Sequence, residues 1–143
     1  MSDGEPAREG HGWRVLIVED EALVALTLED ALSAAGHDVL CPVDRAAPAV
    51  RLARQTKIDL AIIDVRLADG DDGIALAEDL VAIQPSLLIL YATGNPGLVR
   101  ERARCGVGCF SKPFEVEWLL RAVDELRAGG MPRSPGFFEL QGA

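Results

Sequence analysis

Five polar residues in this sequence stand directly after short apolar segments. Glu19 and Asp20 follow VLIV, Asp64 follows LAII, Thr93 follows LLILYA, and Lys112 follows GCFS. Apolar segments of this length, bounded by polar or turn residues, are typical of buried strands. Because parallel strands end at one edge of a sheet, and open α/β sheets bind ligands there, we expect these five side chains to converge.

Three carboxylates, a hydroxyl and an ammonium group suit a divalent metal ion and a phosphoryl group. A carboxylate such as Asp64 can attack phosphorus and form an acyl phosphate, provided that the negative charge is neutralised. Glu19 and Asp20 offer the hard oxygen ligands that Mg²⁺ prefers, while Lys112 and Thr93 can bind phosphoryl oxygens. Each residue alone could instead be a helix cap, a turn residue or a surface charge. Their combination at successive strand ends favours the chemical interpretation.

Strand and helix patterns alternate five times along the chain, which predicts a parallel sheet with helices on both faces. Right-handed crossovers favour a three-layer, flavodoxin-like (βα)5 fold of the α/β class with strand order 2-1-3-4-5. We predict a flexible leader at residues 1–12, one domain at residues 13–128 and a C-terminal tail at residues 129–143. The tail contains Gly, Pro and two adjacent Phe residues, so it is either disordered or docked on a surface groove.

Local signals mark the ends of several predicted helices. Gly36 suits the left-handed end of the first helix, and Asp44 is expected to cap the second. The fourth helix, over residues 95–105, begins with poor helix formers, so we expect it to be marginal and mobile. The core face of the first helix is predicted from the apolar spacing of Leu23, Leu26, Leu28 and Leu32.

Composition excludes several classes of function. With 143 residues, 49% of them hydrophobic, the chain is expected to form one domain with one core. A net charge of −9 argues against nonspecific binding to nucleic acid. The apolar runs are too short to span a membrane, and the polar, acidic N-terminus does not resemble a secretory signal. We therefore predict a cytoplasmic protein without nucleic-acid or membrane partners, whose three cysteines serve as small apolar residues.

The motifs VLIVEDE, DLAIIDVRLADGDDG, YATG and SKPF together resemble the receiver domain of bacterial two-component response regulators, over residues 13–127. The resemblance implies that Asp64 is the phospho-acceptor and that Thr93 and Lys112 bind the phosphoryl group. It also implies a cis peptide bond between Lys112 and Pro113. The Mg²⁺ ligands that it implies are Asp20 directly, Glu19 through water, Asp64, and the backbone carbonyl of Arg66.

The same resemblance implies a role in signalling. A sensor histidine kinase or a histidine phosphotransfer protein would donate the phosphoryl group. The chain is interpreted as a stand-alone receiver, whose output is phosphorelay or phosphorylation-dependent binding of a downstream protein. It would not be an enzyme beyond self-phosphorylation and autodephosphorylation. Near the acid pocket, Ala22, Leu23 and Leu26 are candidates for kinase docking, although such helix positions are also commonly core.

One position departs from the family pattern. Most receivers carry Tyr or Phe three residues before the lysine as a rotating switch, but this chain has Cys109 there. The adjacent Phe110 should point to the opposite face of its strand. The YATG segment is partly similar to an α-proteobacterial receiver subfamily with a Phe-Ala-Thr-Gly-Gly-Tyr motif, although Asn95 and Pro96 replace its later residues. That subfamily implies a divergent histidine kinase and signalling through rearrangement of the fourth helix.

Two alternatives of other classes stay open at this point. One is a non-phosphorylated protein-interaction module on the receiver fold, which the presence of the whole set of acids, threonine and lysine disfavours. The other is a phosphatase of the haloacid dehalogenase type, which also uses an aspartate nucleophile with Mg²⁺. That chemistry needs a second aspartate two residues later, and Arg66 stands there.

Overall fold

Strands and helices alternate along residues 12–140, the part of the chain that the computed structural model describes. The strands are β1 (Arg14–Val18), β2 (Asp38–Val39), β3 (Leu60–Ile63), β4 (Leu88–Thr93), β5 (Gly108–Ser111) and β6 (Phe137–Glu139). The helices are α1 (Ala22–Ala34), α2 (Ala46–Gln55), α3 (Gly73–Ile83), α4 (Pro96–Arg102) and α5 (Val116–Arg127), with a 3-10 turn at Ala68–Gly70. Within this range, none of the helices combines the length and apolar character that crossing a membrane requires.

The six strands form one sheet in the order β2-β1-β3-β4-β5-β6. The first five are parallel, which confirms the predicted α/β fold and its order 2-1-3-4-5, whereas β6 is antiparallel to β5. The register aligns Val18 with Ile63 and Ile63 with Tyr91. The residues that follow β1 and β3 therefore lie side by side at one edge.

Alternating side chains of the sheet enter two apolar layers, one on each face. On one face, Ala61 and Ile63 of β3 pack with α2, α3 and Val99 of α4. On the other, Leu60 and Ile62 pack with α1 and α5. Both faces of β3 are thus covered, which explains why the LAII segment is apolar throughout rather than alternating.

The N-terminus of α2 differs from the sequence prediction. Asp44 does not cap this helix, because its carboxylate pairs with the neighbouring Arg45. The N-cap residue is Arg45, which makes no side-chain capping bond. The backbone N–H of Ala46 donates instead to Asp71 Oδ2 at 2.8 Å. The capping carboxylate thus comes from the loop after β3, a contact that a local sequence window does not contain.

The structure of the first helix and of the tail also differs from the sequence predictions. Of the four leucines expected in the core, Leu28 and Leu32 are buried, but Leu23 and Leu26 are exposed. At the other end of the chain, Phe137–Glu139 of the predicted tail form β6 and pair with the edge strand β5. This part of the tail is thus neither disordered nor docked in a groove. The fourth helix ends at Arg102, earlier than expected. The predicted leader, apart from Gly12, lies outside the described residues, as do residues 141–143.

Two backbone features agree with the expectations. Gly36 has a φ of 96°, the left-handed conformation predicted at the end of α1, and the Lys112–Pro113 peptide bond is cis. A third feature was not predicted. Gly73, the first residue of α3, lies so close to β3 that a Cβ atom there would overlap the backbone carbonyl of Asp64. Only glycine lets α3 start against the strand that carries Asp64.

We expect Gly73→Ala to lower the free energy of unfolding by about 2–4 kcal/mol, because the added methyl group forces the start of α3 away from β3. Urea unfolding followed by circular dichroism measures the loss. Gly97→Ala in α4 is the control, since nothing lies near its Cβ position and alanine favours a helix. Equal losses in the two variants would contradict the proposed close packing.

Candidate functional site

Three carboxylates gather at the edge of the sheet where the parallel strands end. One oxygen each of Glu19, Asp20 and Asp64 lies within 4.8 Å of the others. Glu19 and Asp64 are buried, whereas Asp20 is exposed. The neighbouring parallel strands β1 and β3 bring them together, since each acid follows the end of its strand. Closely spaced carboxylate oxygens with one side open to solvent fit a hard divalent cation that keeps some of its water.

Lys112 joins this cluster from the far side of β4. Its Nζ donates to Glu19 Oε1 at 2.7 Å, to Asp64 Oδ2 at 2.8 Å and to Glu21 Oε1 at 2.9 Å. Burial acts to lower the pKa of Lys112, but the hydrogen bonds to the three carboxylates outweigh it and leave the pKa above its ordinary value. The ammonium therefore stays charged and compensates the acids around it.

Asp64 is held at both carboxylate oxygens. Its Oδ1 accepts from the backbone N–H of Val65 at 2.6 Å, and its Oδ2 accepts from Lys112. The side chain is almost fully buried at the end of β3, the strand between β1 and β4. These contacts fix one carboxylate at the centre of the cluster, with a positive charge beside it.

Among the carboxylates of residues 12–140, Glu19 has the pKa that its surroundings shift most. Burial raises the pKa of Glu19 to about 7, and the charge of Asp64 acts in the same direction. The hydrogen bonds from Lys112 and from the backbone N–H of Glu21 oppose this increase. That N–H donates to Glu19 Oε2 at 3.0 Å, so the side chain also supports the start of α1. Glu19 therefore both supports the start of α1 through a hydrogen bond and belongs to the acid cluster.

Thr93, at the end of β4, and Arg66, in the loop after β3, are the two other predicted site residues. Thr93 ends β4 and is fully buried, and its Oγ1 accepts from the backbone N–H of Asn95 at 3.1 Å. The backbone carbonyl of Thr93 accepts from the N–H of Lys112 at 2.9 Å. Arg66 is exposed in the loop after β3, where its backbone pairs with that of Asp72 in an isolated antiparallel β-bridge. The metal-binding role of its carbonyl stays a prediction.

Glu21 is a site residue that the sequence analysis missed. Its carboxylate is largely exposed, yet it contacts Lys112 from the start of α1. The only signal is that a third acid follows Glu19 and Asp20 in the sequence. Because acids are common in the first turn of a helix for electrostatic reasons, this signal could not separate a contact with Lys112 from ordinary helix stabilisation.

The face of β5 that carries Cys109 contains no aromatic ring from this strand. Cys109 is buried with Tyr91 and Val99 on the α4 side of the sheet, while Phe110 packs on the opposite side. Burial raises the pKa of the Cys109 thiol to about 12, so it stays protonated and is not a thiolate nucleophile. The predicted opposite orientation of Phe110 agrees with the structure.

Comparison with known proteins gives consistent matches. The family model described as response regulator receiver domain matches residues 15–124. The chemotaxis protein CheY of Thermotoga maritima is 27% identical over 118 residues, which are 80% of this chain and 98% of CheY. The phyllosphere-induced regulator PhyR of Methylorubrum extorquens is 37% identical over 103 residues, which are 71% of this chain but 38% of PhyR.

Similar solved structures have the same fold, and two of them contain a metal ion. A Burkholderia pseudomallei response regulator with a phosphorylated aspartic acid and a calcium ion is similar with a TM-score of 0.64 and 27% identity, covering 81% of this chain and 71% of that one. The receiver domain of a Pseudomonas aeruginosa sensor histidine kinase, with a magnesium ion in its active site cleft, has a TM-score of 0.68 and 25% identity. That match covers 79% of this chain and 95% of the other.

We expect Glu19 to make the stability of the metal-free protein depend on pH near neutrality. Because its pKa in the folded protein lies above its ordinary value of 4.5, the folded state binds more protons between the two values. Its contribution to the free energy of unfolding therefore falls as the pH rises through that window. Glu19→Gln removes this titration, so the variant should gain about 1–3 kcal/mol relative to wild type between roughly pH 5 and pH 8.

Urea unfolding at several pH values in a chelator-containing buffer measures this difference. Glu78→Gln, on an exposed position of α3, is the matched control and should track wild type at every pH. A constant difference between Glu19→Gln and wild type across the range would show that burial does not perturb this carboxyl.

Proposed function

Because this chain belongs to the response regulator receiver domain family, we propose that it accepts a phosphoryl group on Asp64 from a phosphorylated histidine of a sensor kinase or phosphotransfer protein. The observation that carries the proposal is the contact between Lys112 and Asp64 at 2.8 Å, beside two further acids. A buried carboxylate paired with a lysine and flanked by metal-binding oxygens has the groups that phosphoryl transfer requires.

In the proposed reaction, a carboxylate oxygen of Asp64 attacks phosphorus. The P–O bond of the acyl phosphate forms as the P–N bond of the phosphohistidine breaks, and the leaving imidazole nitrogen is protonated. Lys112 holds a positive charge where negative charge accumulates on the phosphoryl oxygens. Its three carboxylate partners keep the ammonium in place before the phosphoryl group arrives.

The residues present fit a magnesium ion. Glu19, Asp20 and Asp64 supply closely spaced oxygens, and the backbone carbonyl of Arg66 is proposed as a further ligand. When bound, Mg²⁺ would neutralise charge between the carboxylates and the phosphoryl oxygens. The magnesium ion in the Pseudomonas aeruginosa receiver domain and the phosphorylated aspartic acid in the Burkholderia pseudomallei regulator support this assignment.

Thr93 is proposed to bind the phosphoryl group through its hydroxyl. The hydroxyl already accepts a hydrogen bond from Asn95, and its own hydrogen is free to be donated. A phosphoryl oxygen on Asp64 would be its acceptor. Through Thr93, the phosphoryl group would then be connected to the loop that starts α4.

The exposed face of α1 is the proposed docking surface for the phosphodonor protein. Leu23 is 75% exposed and Leu26 is 51% exposed, so α1 presents apolar side chains to solvent beside the acid cluster. An apolar groove beside Leu23 includes Pro113 and Phe114, directly after Lys112. A helix of the donor packed there would bring its histidine to the acid cluster.

The cytoplasmic location expected from the sequence stays a prediction.

Incubation with acetyl phosphate and Mg²⁺, followed by intact-mass spectrometry, tests the phosphorylation. We expect one phosphoryl adduct on the wild-type protein and none on Asp64→Asn. Asp69→Asn, an exposed aspartate in the loop after β3, is the control and should still be phosphorylated. No adduct on the wild type, or an equal adduct on Asp64→Asn, would refute the proposal and favour the non-phosphorylated interaction module.

Mg²⁺ should stabilise the protein through the acid cluster. Two unit negative charges about 4–5 Å apart repel by roughly 3–4 kcal/mol at an effective dielectric constant near 20. The exposure of Asp20 and the charge of Lys112 reduce this to about 1 kcal/mol. We therefore expect Asp20→Asn to melt at a higher temperature than wild type without metal, and to lose the increase that Mg²⁺ causes in wild type.

Thermal unfolding with and without millimolar Mg²⁺ measures both effects. Asp30→Asn, an exposed residue of α1 away from the cluster, should respond to Mg²⁺ as wild type does. Identical metal-free melting of wild type and Asp20→Asn, together with an undiminished Mg²⁺ response in the variant, would exclude this cluster as the metal site.

A further inference from the structure

The C-terminal segment of the chain occupies the outer edge of β5. Strand β6 pairs antiparallel with β5, placing Phe138 opposite Cys109 and Phe137 opposite Phe110. The next residue after the strand, Leu140, donates its N–H to the carbonyl of Val107 at 3.1 Å. The segment therefore closes a sheet edge that would otherwise expose unpaired backbone groups.

Strand β5 is shaped to receive this segment. A Cβ atom on Gly108 would overlap the ring of Phe137, so only glycine leaves room for it. The Phe137 ring packs on Phe110 with centroids 5.7 Å apart. On the opposite face, Phe138 lies against the cluster that contains Cys109. The aromatic ring that β5 lacks on this face thus comes from the neighbouring strand.

Phe138 also contacts α4. The guanidinium carbon of Arg100 lies 3.7 Å from the centroid of its ring, a cation–π contact. Helix α4 has seven residues, makes no side-chain capping bond, and buries only Val99. Arg102 also pairs with Asp72 at the start of α3, and Leu98 packs against the core. Arg100 is the α4 residue in cation–π contact with β6, so a displacement of α4 would pull directly on the contact between Arg100 and Phe138.

The start of α4 is connected to the candidate site through one hydroxyl. Thr93 Oγ1 accepts from the N–H of Asn95, the residue that precedes α4. If the same hydroxyl donates its hydrogen to a phosphoryl oxygen on Asp64, any movement of Thr93 toward the site shifts Asn95 with it. The connected path runs from the phosphoryl group through Thr93 and α4 to the ring of Phe138.

The two parts of the segment are held by different elements: its first residues by α5 and its last residues by β5. Glu125 of α5 accepts hydrogen bonds from the backbone N–H of Arg133 at 3.1 Å and from the hydroxyl of Ser134 at 3.0 Å. Ser134 is buried, whereas both phenylalanines of β6 are only partly buried. Gly136, with a φ of 87°, separates the two parts and can act as a hinge.

We infer that residues 137–140 are an internal, displaceable ligand of the β5 edge, and that phosphorylation of Asp64 releases them while residues 131–134 stay attached to α5. The inference rests on the proposed function. Release exposes the backbone of β5 and the apolar surface beside Cys109.

Hydrogen exchange on the full chain tests the release, with Mg²⁺ and beryllofluoride as the phosphoryl probe. We expect amides of residues 137–140 to exchange about tenfold faster with the probe than with Mg²⁺ alone. Amides of Met131, Arg133 and Ser134 should be unchanged and serve as the internal control; Pro132 has no amide hydrogen. Asp64→Asn, which removes the carboxylate that the probe binds, should show no change in either segment.

A second variant tests the contact that transmits the signal. Arg100→Gln removes the cation–π contact with Phe138, so residues 137–140 should already exchange faster without the probe. Arg104→Gln removes the same charge from a nearby exposed position and should behave as wild type. If Arg100→Gln and Arg104→Gln have the same exchange rates at residues 137–140, α4 does not hold the segment and the inference is wrong.

Binding of the probe is read separately by fluorine NMR, which distinguishes the two ways of failing. Bound beryllofluoride with faster exchange at residues 137–140 supports the inference. Bound beryllofluoride with unchanged exchange makes β6 a permanent cover of the sheet edge and overturns the inference, while the proposed function stands. If wild type does not bind beryllofluoride, the proposed function fails and the inference fails with it.

Discussion

The charge of Lys112 is the interaction on which the site depends. One ammonium group contacts three carboxylates, two of them buried or nearly so. Without it, burying Glu19 and Asp64 near Asp20 would place like charges together in a poorly solvated pocket, at a high cost in free energy. Lys112 allows the acids to stay close in the absence of metal, and it presents a positive charge to any anion that enters.

The two sides of the site differ in how tightly their secondary-structure elements are packed. The acids stand on β1 and β3, whose strands are covered on both faces and packed against α3 without space for a side chain at Gly73. Thr93 instead leads into α4, a short helix with one buried residue. A fixed side suits the positioning of reactive groups, and a weakly held side suits a conformational response. Under the proposed function, this asymmetry would separate phosphoryl chemistry from signalling on opposite flanks of one sheet edge.

The exposed surface of α1 and the β5 edge lie on these same two flanks of the site. Exposed leucines lie on the flank with the acids, where the proposed phosphodonor would approach Asp64. The opposite flank ends in β6, which supplies Phe138 to the face where β5 carries Cys109. Cys109 and the ring of Phe138 on the neighbouring strand thus belong to one apolar cluster. The inferred coupling between α4 and the sheet edge would therefore involve two strands rather than one.

The sequence alone determined the alternation of strands and helices, because buried apolar segments and helix-ending glycines are local signals. The order of the five parallel strands followed from that alternation only through the general preference for right-handed crossovers. The sequence also predicted which acids, hydroxyl and lysine reach one edge, since parallel strands end together. Only the tertiary structure decided the capping of α2 by Asp71, the contact of Glu21 with Lys112, the exposure of Leu23 and the pairing of β6 with β5. Each of these joins residues far apart in the chain or selects a helix face, and such contacts depend on packing geometry that no local pattern encodes.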